Sequence, residues 1–398
     1  MGVIAYKDLG EVKRIIKESI KPLGEEIIDT RESIGRFIAE DIYVFNDVPE
    51  CDIAHYDGFA INLVSGKTEY NVISGSVSEL RPGEATYIVT GECLPAGVSV
   101  VVPVEAVTYL SKDLIKIPID SHVAYRDSVF RRGSEFSGGG ILVKRGDRVS
   151  PLIAKVLLDL GIEKIKVFKR PRVAILPTGT EFVENRSRET NSLVIKYMCE
   201  SMGALVSVSE PSEDSEDVIM SRVKELINDF DMIITIGGLG EGYRDHTLRA
   251  VEGIKGSNVL VRGIKIQPGR RTSYVKIYDK PAVLSPGFMQ SSIVSTLIIT
   301  QPIIDLLQGG SGETHVVKGL FRLAEDYVYT GKFRDFIKVR FVELIDKENL
   351  LIKIIETNPR ASIPISRSHG LVFIDPINNI LRKNDLVPVY DVPGLLSF

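Results

Sequence analysis

The chain has 398 residues, which is more than one hydrophobic core usually serves, so we expect two to four domains. Hydrophobic residues make up 44% and charged residues 26%, values typical of a folded globular protein rather than a disordered or fibrous one. The net charge is −4 and no basic run with interleaved aromatic residues occurs, so nucleic acid is not an expected partner.

The residue pattern of the N-terminal part of the chain changes twice. Apolar residues at helical spacing predict two short helices, one around residues 12–20 and one around residues 34–38. From residue 46 to 145, short segments rich in Val, Ile and Tyr alternate with Gly, Pro and charged turns, which predicts a β-rich domain. Residues 151–160 and 162–168 then predict a helix and a strand that pack back on the N-terminal helices, so the first domain is expected to be discontinuous.

Strands and helices alternate from residue 172 to 308, an order that favours right-handed βαβ crossovers and a parallel sheet. The segments RVAIL and MIITI are continuous apolar runs, as expected of strands buried on both faces. A long apolar helix is predicted from about Met289 to Leu307, followed by a linker at Gly309–Glu313 and by short strands of a terminal β domain.

These elements predict an α/β multidomain fold with four parts. A helical linker domain would comprise residues 1–45 and 146–170, and a β-rich domain residues 46–145. An α/β domain with a parallel sheet would comprise residues 171–310, and a C-terminal β domain residues 311–398.

The cysteines and the apolar segments indicate the compartment. Cys51, Cys93 and Cys199 are far apart, without a CxxC motif or paired histidines, so reduced thiols and a cytoplasmic location are expected. The first 14 residues lack the charged and apolar regions of a signal peptide. The longest apolar run, residues 293–304, contains Ser, Thr and Gln, so no membrane partner is expected.

Two loops follow predicted strands of the parallel sheet, where open α/β sheets bind their ligands. The first is LPTGTE at residues 176–181, and the second is GGLGEGYRD at residues 237–245. The second loop matches neither the Walker motif nor the dinucleotide motif, so an ordinary βα turn is as good an interpretation as a phosphate site. Its glycines would let backbone N–H groups approach an anion: Gly237, Gly238, Gly240 and Gly242.

Two further turns carry residues suited to chemistry. Asp57 stands in HYDGFA, where an acid can orient a metal ion or a water molecule, although most Asp-Gly pairs are ordinary turns. The segment QPGRR could offer Arg270 or Arg271 to an oxyanion, or could be a solvated turn.

Taken in order, these turns follow one pattern over nearly the whole chain. The segments are PECDIAHYDGFAI, IVTGECLPAGVSVVVPVEAV, FRRGSEFSGGGILVKRGDRVSP, RPRVAILPTGTEF, TIGGLGEGYRD, GIKIQPGRR and LSPGFMQSS. The pattern resembles that of the MoeA and gephyrin-E family, the molybdopterin molybdenumtransferases. Seven motifs in register are far more specific than any one loop.

The resemblance implies a fold and a reaction. The fold would comprise a helical linker domain, a β-rich domain, a molybdopterin-binding α/β domain and a C-terminal β-barrel. The protein would be a homodimer whose active site lies between the β-rich domain of one protomer and the α/β domain of the other. In this family adenylylated molybdopterin is hydrolysed with Mg²⁺, AMP is released, and molybdate or tungstate is inserted into the dithiolene.

Carried over position by position, the resemblance assigns catalytic and metal-binding roles to Asp57, Glu181 and Asp245. The remaining positions are expected to bind the substrates: Thr90, Glu135, Thr178, Gly179, Gly237, Gly238, Gly240, Gly242, Arg270, Pro286, Gly287, Ser291 and Lys338.

Several positions depart from the family pattern. The two lysines of the motif KPGKP become Gln267 and Arg270, and a family arginine becomes Lys338, so the cations left for the oxyanion are Arg270, Lys338 and Arg360. Other substituted positions are Thr180, Gly240, Tyr243, Phe288 and Pro359.

Two interpretations follow. The retained acids favour an active transferase, whereas the substituted positions leave open a divergent, non-catalytic paralogue that binds molybdopterin or a nucleotide or acts as an assembly scaffold. The choice between molybdate and tungstate is open, because both are tetrahedral dianions of nearly equal size.

Overall fold

The computed structural model describes residues 5–121, 125, 127–239, 246–313, 316–329, 331–356, 358, 362–378 and 380–395. The chain divides into two compact units. The large unit comprises Met1–Glu40 and Arg145–Phe398, and the small unit comprises Asp41–Lys144.

The N-terminal part of the large unit contains helix α1 (Leu9–Ser19) and strand β1 (Glu25–Asp29). α1 confirms the first of the two predicted helices. The helix predicted around residues 34–38 is wrong. A 3₁₀ turn at Thr30–Glu32 comes just before these residues. Gly35 then has a φ of +82°, which lies outside the right-handed helical region. The N–H of Ile38 donates to the carbonyl of Asp147 at 2.9 Å, so this backbone pairs with a distant segment instead.

The regular elements of the small unit are mainly short strands, as its alternating sequence pattern predicts. Six strands form one sheet in the order β7-β4-β6-β5-β9-β8, in which only the β5–β6 pair is parallel. Strand β3 pairs with β10, and β2 with β11. The strands are β2 (Ile42–Val44), β3 (Ile53–Ala54), β4 (Gly58–Ile61), β5 (Glu69–Val72), β6 (Glu84–Ile88), β7 (Val100–Pro103), β8 (Thr108–Ser111), β9 (Leu114–Lys116), β10 (Val129–Phe130) and β11 (Gly140–Val143).

A disulfide bond joins Cys51 and Cys93 in the small unit, with their Cα atoms 5.7 Å apart, so the prediction of reduced thiols is wrong for this pair. The two cysteines are 42 residues apart in sequence, and backbone pairing brings them together. The N–H of Leu94 donates to the carbonyl of Asp52 at 2.8 Å. The spacing of the cysteines along the chain does not predict this pairing. Cys199 is free and buried in the large unit, and burial raises the pKa of its thiol.

The large unit continues with alternating helices and strands, which confirms the order predicted for residues 172–308. The elements are α2 (Pro151–Asp159), β12 (Lys164–Phe168), β13 (Arg172–Pro177), α3 (Thr180–Val183), α4 (Asn191–Ser201), β14 (Leu205–Val208), α5 (Glu216–Asp229), β15 (Met232–Ile236), α6 (His246–Glu252), β16 (Ser257–Val261), β17 (Ile266–Gln267), β18 (Ser273–Ile277) and β19 (Lys280–Ser285). Strands β1 and β12 form an antiparallel pair, so this part of the chain is less helical than predicted.

The central sheet has the order β14-β13-β15-β19-β18-β16. The first four strands are parallel, but β18 and β16 join antiparallel, which the prediction of a parallel sheet missed. Only Tyr278 and Asp279 separate β18 from β19, and their φ angles of +49° and +67° are those of a type I′ hairpin turn. Two residues cannot form the crossover that a parallel pair requires.

Helices cover both faces of this sheet. Along β13, Val173 and Ile175 face a core formed with α1, α4 and residues 289–307, whereas Ala174 and Leu176 face a core formed with α5 and α6. Alternate side chains of a strand point to opposite faces, so each buried parallel strand serves both cores.

The long apolar helix predicted at Met289–Leu307 is confirmed. It consists of α7 (Met289–Ser295), a π-helical turn (Thr296–Thr300) and α8 (Gln301–Leu307). Its length and composition would allow it to cross a membrane, but 89% of its apolar window is buried within the protein. It is therefore a core helix of the large unit.

The C-terminal strands form a further sheet in the order β17-β22-β23-β20-β26-β24, and β22 also pairs with β24. Strand β17 joins this sheet through a parallel pair with β22, which brings residues 266–267 against the C-terminal strands. The strands are β20 (Val317–Leu323), β21 (Tyr327–Val328), β22 (Ile337–Asp346), β23 (Leu351–Ile354), β24 (Gly370–Ile374), β25 (Ile380–Leu381) and β26 (Leu386–Tyr390).

Loss of the disulfide bond should destabilise the small unit. The bond closes a loop of 42 residues, and chain entropy assigns about 4 kcal/mol to a loop of this size. We expect dithiothreitol to lower the denaturant midpoint of the small unit in the wild type and in Cys199→Ala, but not in the double variant Cys51→Ser with Cys93→Ser. If the denaturant midpoint of the wild type is the same with and without dithiothreitol, the bond does not contribute to stability.

Candidate functional site

The carboxyl ends of the parallel strands β13, β15 and β19 lie side by side. Pro177 pairs with Ile236, and Ile236 pairs with Ser285. Beyond the strands, the N–H of Thr178 donates to the carbonyl of Ile236 at 2.9 Å, and the N–H of Gly237 donates to that of Ser285 at 3.0 Å. The N–H groups of Thr178 and Gly237, the first in their loops, are therefore occupied by backbone hydrogen bonds. Any N–H donors to a phosphate must come from later residues of these loops.

Close packing at this edge requires glycine. Gly237 and Gly238 have φ angles of +109° and +64°, in the left-handed region. A Cβ atom at Gly237 would lie 2.4 Å from the carbonyl oxygen of Thr178, and one at Gly238 would lie 2.0 Å from Oγ1 of Thr247. Gly287 is less crowded, since its Cβ would lie 3.4 Å from the Cα of Gly237, an ordinary contact distance. These glycines let the three loops leave the sheet without a side chain between them.

Glu181 is the second residue of the short helix α3 and is half-buried. The N–H of Gly179 donates to the carbonyl of Ser212 at 2.9 Å, and Oγ1 of Thr180 accepts from the N–H of Asp214 at 3.1 Å. These contacts fix the start of α3. In the described part of the chain the carboxylate of Glu181 accepts no hydrogen bond, so it is available to a ligand.

The loop after β19 is held from both sides. Nδ2 of Asn191 donates to the carbonyl of Gly287 at 2.6 Å, and Oγ of Ser292 donates to that of Pro286 at 2.5 Å. Neither Asn191 nor Ser292 is predicted from the sequence to support this loop. Ser291, a predicted ligand, is only 7% exposed, so its side chain offers little surface to a substrate.

In the small unit, Asp57 and Thr90 are in direct contact. Oδ1 of Asp57 accepts hydrogen bonds from the backbone N–H and from Oγ1 of Thr90, both at 2.7 Å. These bonds, the backbone one first, lower the pKa of the exposed Asp57 carboxyl below its ordinary value. The next residue, Gly58, has to be glycine, because a Cβ there would lie 2.1 Å from the carbonyl oxygen of Val102. Asp57 is thus an ionised acid in a fixed turn.

Glu135 is not drawn into this arrangement. It is exposed, its N–H donates to the carbonyl of Val48 at 3.0 Å, and its carboxylate makes no hydrogen bond with Asp57 or Thr90. The structure therefore gives Glu135 no visible link to the predicted catalytic acid.

Lys338 lies on β22 and is fully buried. Its ammonium donates to the carbonyls of Phe333 and Phe336 and lies 4.3 Å from the ring centre of Tyr329. Burial, and then the neighbouring Arg340, lower the pKa of Lys338. Lys338 is therefore a cation stabilised by carbonyl dipoles and an aromatic ring.

Arg270 joins the same group of residues. Its guanidinium carbon lies 4.4 Å from the ring centre of Phe333, whose carbonyl accepts from Lys338. The structure thus brings together the two predicted cations Arg270 and Lys338, and it adds Arg340 and Tyr329, which sequence reasoning missed. A signal existed, because residues two apart on a strand share a face, and Arg340 follows Lys338 by two.

Other predicted residues are not brought together. Within the described residues, no three Asp, Glu, His or Cys side chains form a metal-binding group. Asp57 and Glu181 lie in different units. Several predicted or substituted positions lie outside the described residues: Gly240, Gly242, Tyr243, Asp245, Pro359 and Arg360.

Comparison with known proteins assigns the family. Residues 8–161 match the family model described as MoeA N-terminal region (domain I and II), and residues 174–307 match that of a probable molybdopterin binding domain. The chain belongs to the MoeA family. The order of the two matches agrees with the resemblance carried by the seven sequence motifs.

Curated relatives and solved structures agree with the MoeA assignment. A molybdopterin molybdenumtransferase of Staphylococcus aureus (strain MSSA476) is 27% identical over 331 residues, which cover 78% of this chain and 77% of the relative. One of Staphylococcus epidermidis is 26% identical over 350 residues, 83% of this chain and 82% of the relative. A crystal structure of the molybdopterin biosynthesis MoeA protein from Pyrococcus horikoshii OT3 has a TM-score of 0.79 at 22% identity, covering 97% of this chain and 100% of that one. It shows a shared fold.

The Thr90 hydroxyl should hold the Asp57 carboxyl ionised. Thr90→Val removes one of the two hydrogen bonds, so we expect the pKa of Asp57 to rise toward its ordinary value of 3.8. Because the folded-state pKa is depressed, the stabilising effect of this contact is present above the unfolded-state pKa and is lost as pH falls through the folded-state pKa. A ¹³C NMR titration of aspartate carboxyls measures the change, with the exposed Thr108→Val as control. An unchanged Asp57 pKa in Thr90→Val would contradict this account.

Proposed function

We propose that this chain is a molybdopterin molybdenumtransferase of molybdenum cofactor biosynthesis. It hydrolyses adenylylated molybdopterin, inserts molybdate or tungstate and releases AMP. The observation that carries the proposal is the shared edge of β13, β15 and β19, where loops with family motifs begin. The chain around them matches the models of the MoeA N-terminal region and of a probable molybdopterin binding domain. The names of the curated relatives favour an active enzyme over a non-catalytic scaffold.

Asp57 and Glu181 are the acids we assign to the hydrolytic step. Asp57 is ionised because Thr90 stabilises its carboxylate, and Glu181 has no competing hydrogen bond in the described chain. Mg²⁺ is usually held by one or two carboxylates, waters and substrate phosphates, so isolated carboxylates with unengaged oxygens fit it. When bound, the ion would neutralise charge on the substrate phosphates. Asp245, outside the described residues, is the third acid of this proposal.

Arg270 and Lys338 are the cations we assign to the oxyanion substrate, Lys338 by its charge alone because its side chain is fully buried. Both contact Phe333, one through its ring and the other through its carbonyl, so a single segment fixes both. Molybdate and tungstate are dianions, and a pair of fixed cations is suited to bind them. Lys338 has no carboxylate ion pair among the described residues, so its charge is not already neutralised.

The first test measures AMP release from adenylylated molybdopterin with Mg²⁺ and molybdate. Asp57→Asn and Glu181→Gln should each reduce the rate by about 100-fold or more, since each removes a charge placed for the hydrolytic step. Asp113→Asn, an exposed acid elsewhere in the small unit, is the matched control. Tight binding of the substrate by the wild type without AMP release would instead support the scaffold interpretation.

We also propose a homodimer whose active sites are shared between protomers. Two helices of the large unit expose apolar side chains at i, i+4 spacing, which form adjacent pairs on a helix surface. On α2, Leu152 is 76% and Val156 is 39% exposed, and on α4, Leu193 is 70% and Tyr197 is 60% exposed. Surfaces of this kind are typical of subunit contacts.

The paired substitutions Leu193→Glu and Tyr197→Glu should shift the protein toward monomer in size-exclusion chromatography with light scattering. Leu320→Glu, at another exposed apolar position, is the control. In mixtures of the Asp57→Asn and Glu181→Gln proteins, shared sites predict recovery of roughly a quarter of wild-type activity, because one site of each mixed dimer is intact. A wild type that is monomeric at assay concentration would end this proposal.

A cytoplasmic location is part of the same proposal. The disulfide bond between Cys51 and Cys93 is the observation against it, because cytosolic thiols are usually reduced outside hyperthermophiles. The family's substrate chemistry is the reason for keeping it.

A further inference from the structure

We propose that the disulfide bond between Cys51 and Cys93 is a redox switch for the Asp57 site. In the oxidised protein the bond holds the loop that carries Thr90 against the segment that carries Asp57, and reduction by a dithiol releases this loop. The effect on catalysis rests on the proposed function, whereas the effect on the contact between Asp57 and Thr90 does not.

The disulfide bond and the Asp57–Thr90 contact join the same two segments, residues 51–57 and 90–94. Between these two connections the segments pair through their backbones, with an antiparallel bridge between Ile53 and Cys93. The disulfide therefore closes one end of a short ladder whose other end is the acid and its hydroxyl partner. The backbone hydrogen bonds of the ladder, donor first, are Leu94 to Asp52 at 2.8 Å, Ala54 to Glu92 at 3.1 Å and Gly91 to Ala54 at 2.9 Å.

The segment that carries Asp57 is also anchored by contacts outside this ladder. Ala54 is only 1% exposed and lies on β3, which pairs with β10. The carboxylate of Asp52 accepts from the backbone N–H of Arg132 at 2.8 Å and forms an ion pair with Arg131 at 2.5 Å. These contacts do not involve either cysteine, so we expect this segment to keep its position after reduction.

The loop that carries Thr90 is exposed along its length. Residues 90–93 are all exposed, and they lie between Ile88 and Leu94, the neighbours that pack against a hydrophobic core of the small unit. Hydrogen bonds in an exposed segment compete with water and open locally at little cost. The covalent bond at Cys93, three residues from Thr90, is therefore the restraint that keeps this loop on its partner segment.

The bond is open to thiol–disulfide exchange. Cys93 is exposed and Cys51 is half-buried, so a thiolate can approach from the Cys93 side. A thiolate of the dithiol attacks Sγ of Cys93, and Cys51 leaves as a thiolate that takes up a proton. The second thiolate of the reductant then attacks the reductant's own sulfur in the mixed disulfide and releases Cys93, which is protonated in turn. Two electrons pass to the protein, and the dithiol becomes a disulfide.

The competing explanation is that the bond only stabilises the small unit as a whole. A matched pair of contacts separates the two explanations. The N–H of Gly138 donates to Oδ1 of Asp47 at 2.9 Å, just as the N–H of Thr90 donates to Oδ1 of Asp57 at 2.7 Å. Gly138 and Thr90 are both exposed and lie in the same unit. General loosening of the unit would free both N–H groups, whereas release of the loop frees that of Thr90 alone.

The experiment measures amide hydrogen exchange by NMR and kcat for AMP release, in the oxidised protein and after reduction with dithiothreitol. Mass spectrometry after alkylation verifies that the bond is reduced. Reduction should speed exchange at Thr90 and lower kcat, each by about tenfold or more, as expected for loss of one hydrogen bond to a charged acceptor. Exchange at Gly138 should not change, and reoxidation should restore both quantities.

Two variants serve as controls. Cys51→Ser combined with Cys93→Ser should resemble the reduced protein and should not respond to dithiothreitol, which also tests for effects of the reductant on the substrate. Cys199→Ala, which removes the buried free thiol, should respond like the wild type.

Unchanged exchange at Thr90 after reduction would overturn the inference. Equal acceleration at Thr90 and Gly138 would also overturn it, because the bond would then stabilise the unit as a whole. Faster exchange at Thr90 with unchanged kcat would show that the bond does not control catalysis. The proposed function fails separately, if the oxidised wild type releases no AMP, and in that case the exchange comparison still decides whether the bond holds Thr90 on Asp57.

Discussion

Backbone contact between the ends of three parallel strands is the constraint on which the site depends. The N–H groups of Thr178 and Gly237 donate to neighbouring strands. A Cβ at Gly237 would lie 2.4 Å from the carbonyl oxygen of Thr178, so no larger residue fits there. The loops consequently start from fixed positions, and only their later residues can reach a ligand. The first glycines of this glycine-rich motif, Gly237 and Gly238, therefore serve the close packing of the sheet edge.

The same edge is connected to the cations through α7. This helix begins after Gly287, and the carbonyl of its residue Ser291 lies 3.5 Å from the position that a Cβ of Gly269 would occupy. Gly269, with a φ of +102°, directly precedes Arg270. A core helix thus packs between the strand edge and the turn that carries Arg270. The buried, rigid packing of residues 289–307 is therefore relevant to substrate geometry as well as to stability.

The elements predicted correctly are those whose formation depends on the local sequence. The helix at 289–307 and the strand β15 were found from apolar runs, because burial leaves a direct mark on composition. The antiparallel edge was missed because two left-handed residues, Tyr278 and Asp279, form its turn without the usual Asn-Gly sequence. The helix predicted near residue 35 failed because backbone partners distant in sequence overrode its spacing. For the site, motifs identified Asp57 and Thr90, whereas the contacts of Arg340 depend on strand register that the sequence does not reveal.

The positive charges of Lys338 and Arg340 on β22 also connect the stability of this part of the protein to the proposed ligand. A buried ammonium without a carboxylate partner is unfavourable, and at Lys338 two carbonyls and one ring only partly replace its lost hydration. Burial first, and then the neighbouring Arg340, lower the pKa of Lys338. A dianion bound beside both residues would offset the repulsion and restore the ordinary preference for the charged form. If the oxyanion of the proposed function binds there, its binding would stabilise the C-terminal strands, because a ligand that binds only the folded state stabilises it.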